Sequence, residues 1–136
     1  MIKWIINKLK VFYFKPPFGK TKLSGSSEAY FDTIRNVDST PNLHTIKENE
    51  LVEVIFRGKS YWALFKCPCG CREVITLSTQ ESHTPHWIIS KNNCNKPTLY
   101  PSVWQNNGCF SHYWIKNGKV EWCYITGVEP GKTELE

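Results

Sequence analysis

Three cysteines stand on alternate positions in CPCGC, residues 67 to 71, with a proline and a glycine between them. Thiols at that density serve a disulfide scaffold, a redox pair or a metal. A redox pair uses C-x-x-C, and these thiols are two apart rather than three. Structural zinc takes four thiolates in a closed tetrahedral site. An extended backbone would turn all three sulfurs to one side. Gly70 permits a tight turn that lets them converge, and Pro68 stiffens the loop. Cys67, Cys69 and Cys71 are therefore expected to hold zinc with one further cysteine. Cys94, Cys109 and Cys123 are the candidates. Cys109 is preferred, because it follows the turn residues Asn106, Asn107 and Gly108 at the start of the last hairpin. A catalytic zinc would keep an open position, usually among His or carboxylate ligands, and no H-E-x-x-H or comparable motif occurs.

The elements that must position these thiols read mostly as strands. Six Trp, six Tyr and seven Phe against one Met favour strands over helices. "LVEVIFR" and "SYWALFK" flank a short Gly-Lys turn and predict a hairpin running into CPCGC. "EVITLS" and "HWIIS" follow as strands, and "NNCNKP" as a loop. "TLYPSVW" is expected to be short and extended, since Pro101 argues against a long central strand. In "CFSHYWIKNGKVEWCYI" the pair Asn117-Gly118 between two alternating runs signals a type I′ hairpin. That turn pairs Ile115 with Val120, Tyr113 with Trp122, and His112 with Cys123.

At 136 residues and 40% apolar content the chain is most simply one globular domain. Residues 2 to 13 place Ile2, Ile5, Ile6, Leu9 and Phe12 at helical spacing, with lysines on the other side. That helix packs on its own domain or, on a weaker reading, touches a membrane surface or partner. Residues 15 to 29 are rich in Pro, Gly and Ser and read as a linker. The expected fold class is mostly β: a small antiparallel β domain with a four-cysteine zinc knuckle and an N-terminal amphipathic helix; α+β is the alternative. The units are residues 1–29, helix and linker; 30–128, the zinc-binding β domain; and 129–136, a tail. The net charge of +5 sits largely in the first 22 residues, and residues 97 to 115 contain neither Lys nor Arg. A nucleic-acid surface of interleaved cations and aromatics is thus not expected. The N-terminus has no cleavage-site pattern and is too short and charged to span a bilayer, so a reducing cytoplasm is expected.

"YWALFKCPCGCREVITL", "HWIIS" and "TLYPSVWQNNGCFSHYWIKNGKVEW", in this order, resemble a small bacterial family. It is a zinc-binding domain family encoded in ubiquitination-like operons among antiphage defence genes. Its members are implicated as serine peptidases with a Ser-His dyad, acting beside E1-like, E2-like and ubiquitin-like proteins. The resemblance covers roughly residues 50 to 125. It implies Ser102 as nucleophile, His112 as base, and Cys67, Cys69, Cys71 and Cys109 as ligands of a structural zinc.

The residues agree in part. A serine hydroxyl is a weak nucleophile until a base accepts its proton, so the two side chains must come within hydrogen-bond reach. Ser111 adjoins His112, but strand neighbours face opposite sides. Ser102 lies on another segment and can approach the face carrying His112. Glu121 shares that face, diagonal to His112, and is a candidate third member. His44, His83 and His86 lie in loops or at strand starts and are assigned no chemistry. By itself, His112 reads first as a half-buried strand histidine bonded to backbone; the resemblance turns it into a base. Two functions follow. One is a peptidase that processes or deconjugates a ubiquitin-like protein. The other is a non-catalytic zinc module that binds E1, E2 or the modifier.

Overall fold

A computed structural model of the chain describes residues 29–131. The helix expected at residues 2 to 13, its linker up to residue 28 and the end of the tail lie outside the described residues. Within them the protein is mostly β, as the composition predicts, with one short 3-10 turn at Leu43–Thr45. Among the described residues no helix is long and apolar enough to cross a membrane.

The first sheet contains β1 (Thr33–Val37), β2 (Glu50–Phe56), β3 (Lys59–Lys66) and β4 (Val74–Ser78), side by side in that order. β1 runs parallel to β2, and the other pairs are antiparallel. The hairpin between β2 and β3 turns on Arg57 and Gly58, at φ 53° and 77°. The expected Gly-Lys turn is therefore displaced by one residue, and Lys59 already belongs to β3. The second sheet is an antiparallel meander of β5 (Ile88–Lys91), β6 (Pro97–Trp104), β7 (His112–Lys116) and β8 (Lys119–Trp122). Its last hairpin has the predicted register, Tyr113 opposite Trp122 and Ile115 opposite Val120. The Cys123 amide donates to the His112 carbonyl at 3.0 Å, which continues that pairing one step.

Alternation assigns the faces. Leu51, Ala63, Phe65, Ile75 and Leu77 of the first sheet join Leu99, Val103, Tyr113 and Ile115 of the second in one buried cluster. Val52, Val54 and Leu64 point the other way, under Ile46. Phe31, just before β1, is fully buried in the shared core and meets Phe65 edge to face at 5.4 Å. Its segment is fastened to the last hairpin, because the Tyr30 and Phe31 amides both donate to the Gly118 carbonyl at 2.8 Å. A Cβ on Gly118 would lie 2.5 Å from the Phe31 carbonyl oxygen, and its φ is +80°. Only glycine fits both the turn and this contact.

The expectation for Pro101 fails. β6 is a full eight-residue strand with neighbours on both sides, despite Pro101. The proline is accommodated by an irregularity. The register with β7 jumps from Leu99 opposite Ile115 to Val103 opposite Tyr113. Tyr100, Pro101 and Ser102 thus bulge opposite Trp114 alone, the kind of irregularity at which a strand tolerates proline.

Candidate active site and thiol cluster

Ser102 is delivered by that bulge and His112 by the first position of β7. Ser102 Oγ lies 3.2 Å from His112 Nε2. The other ring nitrogen, Nδ1, is 3.0 Å from the Ile125 carbonyl oxygen. A carbonyl can only accept, so Nδ1 carries the proton in the neutral ring and Nε2 presents its lone pair to the serine hydroxyl. This is the tautomer a general base requires. Burial depresses the His112 pKa to about 4, partly opposed by the Ile125 hydrogen bond. The ring is therefore neutral at pH 7. Trp104, opposite His112 in the ladder, stacks on it with ring centroids 4.2 Å apart and planes within 4°. Trp87 steadies the other segment, its indole N–H donating to the Ser102 carbonyl at 3.2 Å.

Glu121 does not take the third position. It lies on the expected face, opposite Trp114, but bonds Lys116 at 3.2 Å, while the Ile125 carbonyl occupies Nδ1. A cavity of about 230 Å³ opens beside His112, lined also by Trp114, Glu121, Trp122, Tyr124 and Ile125, among others; Ser102 does not line it.

Ser78 and His83 form a second Ser–His contact, Oγ to Nδ1 at 2.7 Å. His83 is exposed, and among the described residues no hydrogen bond holds its remaining ring nitrogen. It lacks the two-sided restraint that orients His112.

The thiols of Cys67, Cys69, Cys71 and Cys109 all lie within 4.8 Å of one another. Cys94 is exposed, and neither it nor Cys123 joins the group. The sulfurs of Cys67 and Cys71 are each 3.8 Å from that of Cys109. A tetrahedron of sulfurs about 2.3 Å from a central zinc has edges of about 3.8 Å, so the cluster has the dimensions of a closed metal site. The four residues can hold a metal ion. The convergence comes from a turn and not from the alternation of an extended strand. Gly70, at φ 97°, donates its amide to the Cys67 carbonyl at 3.3 Å, and the Cys67 amide donates to Glu73. Without a metal, burial pushes the Cys67 thiol far up and Cys71 to about 11. Burial also acts upward on Cys109. Hydrogen bonds from the Ser111 hydroxyl and amide, and from Cys69 and Cys67, outweigh it and leave the thiol below its usual value.

Ser111 sits 3.1 Å from the Cys109 sulfur, on the thiol side of the strand. The two serines are separated, Ser102 toward the histidine and Ser111 toward the cluster. Trp87, Trp104, Ile125 and Thr126 surround Ser102 and His112, and no sequence motif marks the last three. "HW" offered a signal for Trp87; a carbonyl that orients a ring has none.

A family model described as bacterial ubiquitination-like system serine protease (BubE) matches residues 36–123. That span contains Ser102, His112 and all four clustered cysteines. No curated protein and no solved structure matches the chain. With most of the two-sheet domain inside the match, this chain belongs to the BubE family of bacterial ubiquitination-like system serine proteases.

Proposed function

We propose that the chain is a serine peptidase of the ubiquitination-like pathway, working through a Ser102–His112 dyad on a peptide or ester carbonyl near the C-terminus of a ubiquitin-like protein. The observation that carries this reading is the 3.2 Å contact of Ser102 Oγ with the Nε2 of a ring fixed from its other side. His112 takes the hydroxyl proton as Oγ attacks the carbonyl carbon. The tetrahedral oxyanion needs preorganised donors, most simply backbone N–H groups of the tight segments around Ser102 or Gly108. His112, now charged, protonates the leaving group, and water hydrolyses the acyl-enzyme with the roles reversed.

The metal in this reading is zinc, held by Cys67, Cys69, Cys71 and Cys109. A closed site of four thiolates supplies structure and no open coordination position. Cys109 lies between Ser102 and His112 in sequence, so the cluster ties the turn after β3 to the loop joining β6 to β7. Residues 30–128 form the working unit in a bacterial cytoplasm, within an antiphage system that includes E1-like and E2-like partners.

The test compares Ser102→Ala with Ser111→Ala on a cognate ubiquitin-like fusion. Loss of the nucleophile should reduce cleavage by roughly 10³-fold or more at unchanged zinc content. Ser111→Ala should retain far more activity. Parent-rate cleavage by Ser102→Ala would remove Ser102 from the mechanism. A zinc-loaded protein that neither cleaves nor takes a fluorophosphonate label would favour the non-catalytic binding module.

A further inference from the structure

His112 belongs to the outer face of the second sheet, opposite the inward Tyr113 and Ile115, yet it is only 1% exposed. Part of its cover comes from residues 125–128, which follow β8 and lie beyond the family match. Each of these four residues bonds to the support of the dyad. The Ile125 carbonyl accepts from His112 Nδ1, and Thr126 Oγ1 accepts from the His112 amide at 2.8 Å. The Gly127 amide donates to the Phe110 carbonyl at 2.9 Å, with Gly127 at φ 87°. The Val128 carbonyl accepts from the indole N–H of Trp104 at 3.2 Å, the ring stacked on the imidazole.

We propose that residues 125–128 are a main-chain clasp forming the third part of the Ser102–His112 site, with Thr126 as the positioning residue that seats the Ile125 carbonyl on Nδ1. The inference rests on the dyad reading. A carbonyl fixes the tautomer and the ring plane as a carboxylate would, but brings no negative charge to favour the imidazolium. Glu121, the carboxylate on the same face, is bonded to Lys116. Thr126 is 3% exposed, so its hydroxyl contact with the His112 amide is shielded from water. Replacing the hydroxyl by a methyl removes the Thr126 acceptor from that buried amide, and the neighbouring carbonyl loses its anchor. Serine keeps the acceptor.

The test uses the full chain as purified, with a fluorophosphonate as probe. Thr126→Val should slow labelling of Ser102 by roughly 10–100-fold, the scale of a misplaced catalytic group, while zinc content stays constant. Thr126→Ser should recover most of the rate. Assigned ¹⁵N signals of the parent's His112 should show the Nδ1–H tautomer, a result independent of any variant's folding. The clasp is overturned if Thr126→Val labels at the parent rate, if Thr126→Ser is as slow as Thr126→Val, or if the parent's ring carries its proton on Nε2. With Ser102 labelled in the parent, the two labelling results sink the clasp alone, whereas a proton on Nε2 would also leave the ring unable to accept from Ser102. An unlabelled Ser102 in the zinc-loaded parent sinks the dyad reading and the clasp with it.

Discussion

His112 is buried, and its Nε2 lies 3.2 Å from the Ser102 hydroxyl. Burial disfavours the charged ring and lowers its pKa to about 4. An unperturbed imidazole would lose its basic form at about pH 6.5. The acid limb of Ser102 labelling should therefore lie nearer pH 4 than 6.5, measured as labelling rate between about pH 3.5 and 8. The same shift bears on stability. Between pH 6.5 and about 4 the unfolded chain binds a proton that the folded ring refuses. The His112 contribution is thus complete above about pH 6.5, declines as the pH falls, and is gone below about pH 4. His112→Gln should flatten that part of a urea-midpoint profile against pH. A limb at about pH 6.5 in the parent would show that the ring is solvated.

At the scale of elements, the site depends on how strands are ended and interrupted. The bulge at Tyr100–Ser102 places the serine between regular pairings, and β7 uses its alternation to serve both centres. Ser111 and Tyr113 face the thiol side, while His112 faces the serine. Tyr113 is fully buried, and its hydroxyl has no hydrogen-bond partner among the described residues. Burial, followed by Cys67 and Cys109, pushes its pKa well above the usual value.

The parallel edge strand β1 is pinned differently. Arg35 reaches Glu50 with two hydrogen bonds, Nε to Oε1 at 3.1 Å and a second terminal one at 2.9 Å. These bonds, first among the causes, hold the Glu50 carboxyl below its usual pKa. Arg35→Leu should cost about 1–2 kcal/mol in urea unfolding, since Glu50 keeps only the Lys47 amide among these partners. The loss should be greatest near neutral pH. It should shrink as acid protonates Glu50, because a depressed carboxylate pKa stabilises above the unfolded value and not below it. Ser102 labelling should be unchanged. A variant as stable as the parent at pH 7 would show the pair to be energetically neutral.

For the whole molecule, the thiol cluster lies between the two sheets, which no strand pairs across among the described residues. It joins the turn leaving β3 to the loop entering β7. Structural zinc supplies on the order of 10 kcal/mol of folding free energy in small domains, comparable to the whole stability of a domain this size. Cys71→Ser is therefore expected to give insoluble or unfolded protein, and chelation should abolish the cooperative transition. Cys94→Ser and Cys123→Ser should keep one zinc per chain by metal analysis. Well-folded parent protein without zinc would refute the structural role.

Local chemistry is legible wherever one short stretch contains the reason. Asn117-Gly118 demands a primed turn, and its register follows from the alternation around it. CPCGC supplies three of the four thiols that the fold gathers into one cluster. Pro101 misleads, because its effect depends on a bulge opposite Trp114 that is a property of two strands together. Alternation puts Glu121 on the correct face but does not name its partner. Lys116 and the Ile125 carbonyl compete through geometry that the sequence does not display. The thiol cluster closes across 42 residues between Cys67 and Cys109, and the 3.2 Å approach of Ser102 to His112 depends on the ladder between β6 and β7. The sequence by itself determined the strand-rich class, the last hairpin and the presence of a thiol knuckle, because each follows from neighbours along the chain. Only the tertiary structure decided which carbonyl orients the His112 ring, because a main-chain acceptor is the same in every residue and becomes specific only through the fold that places it.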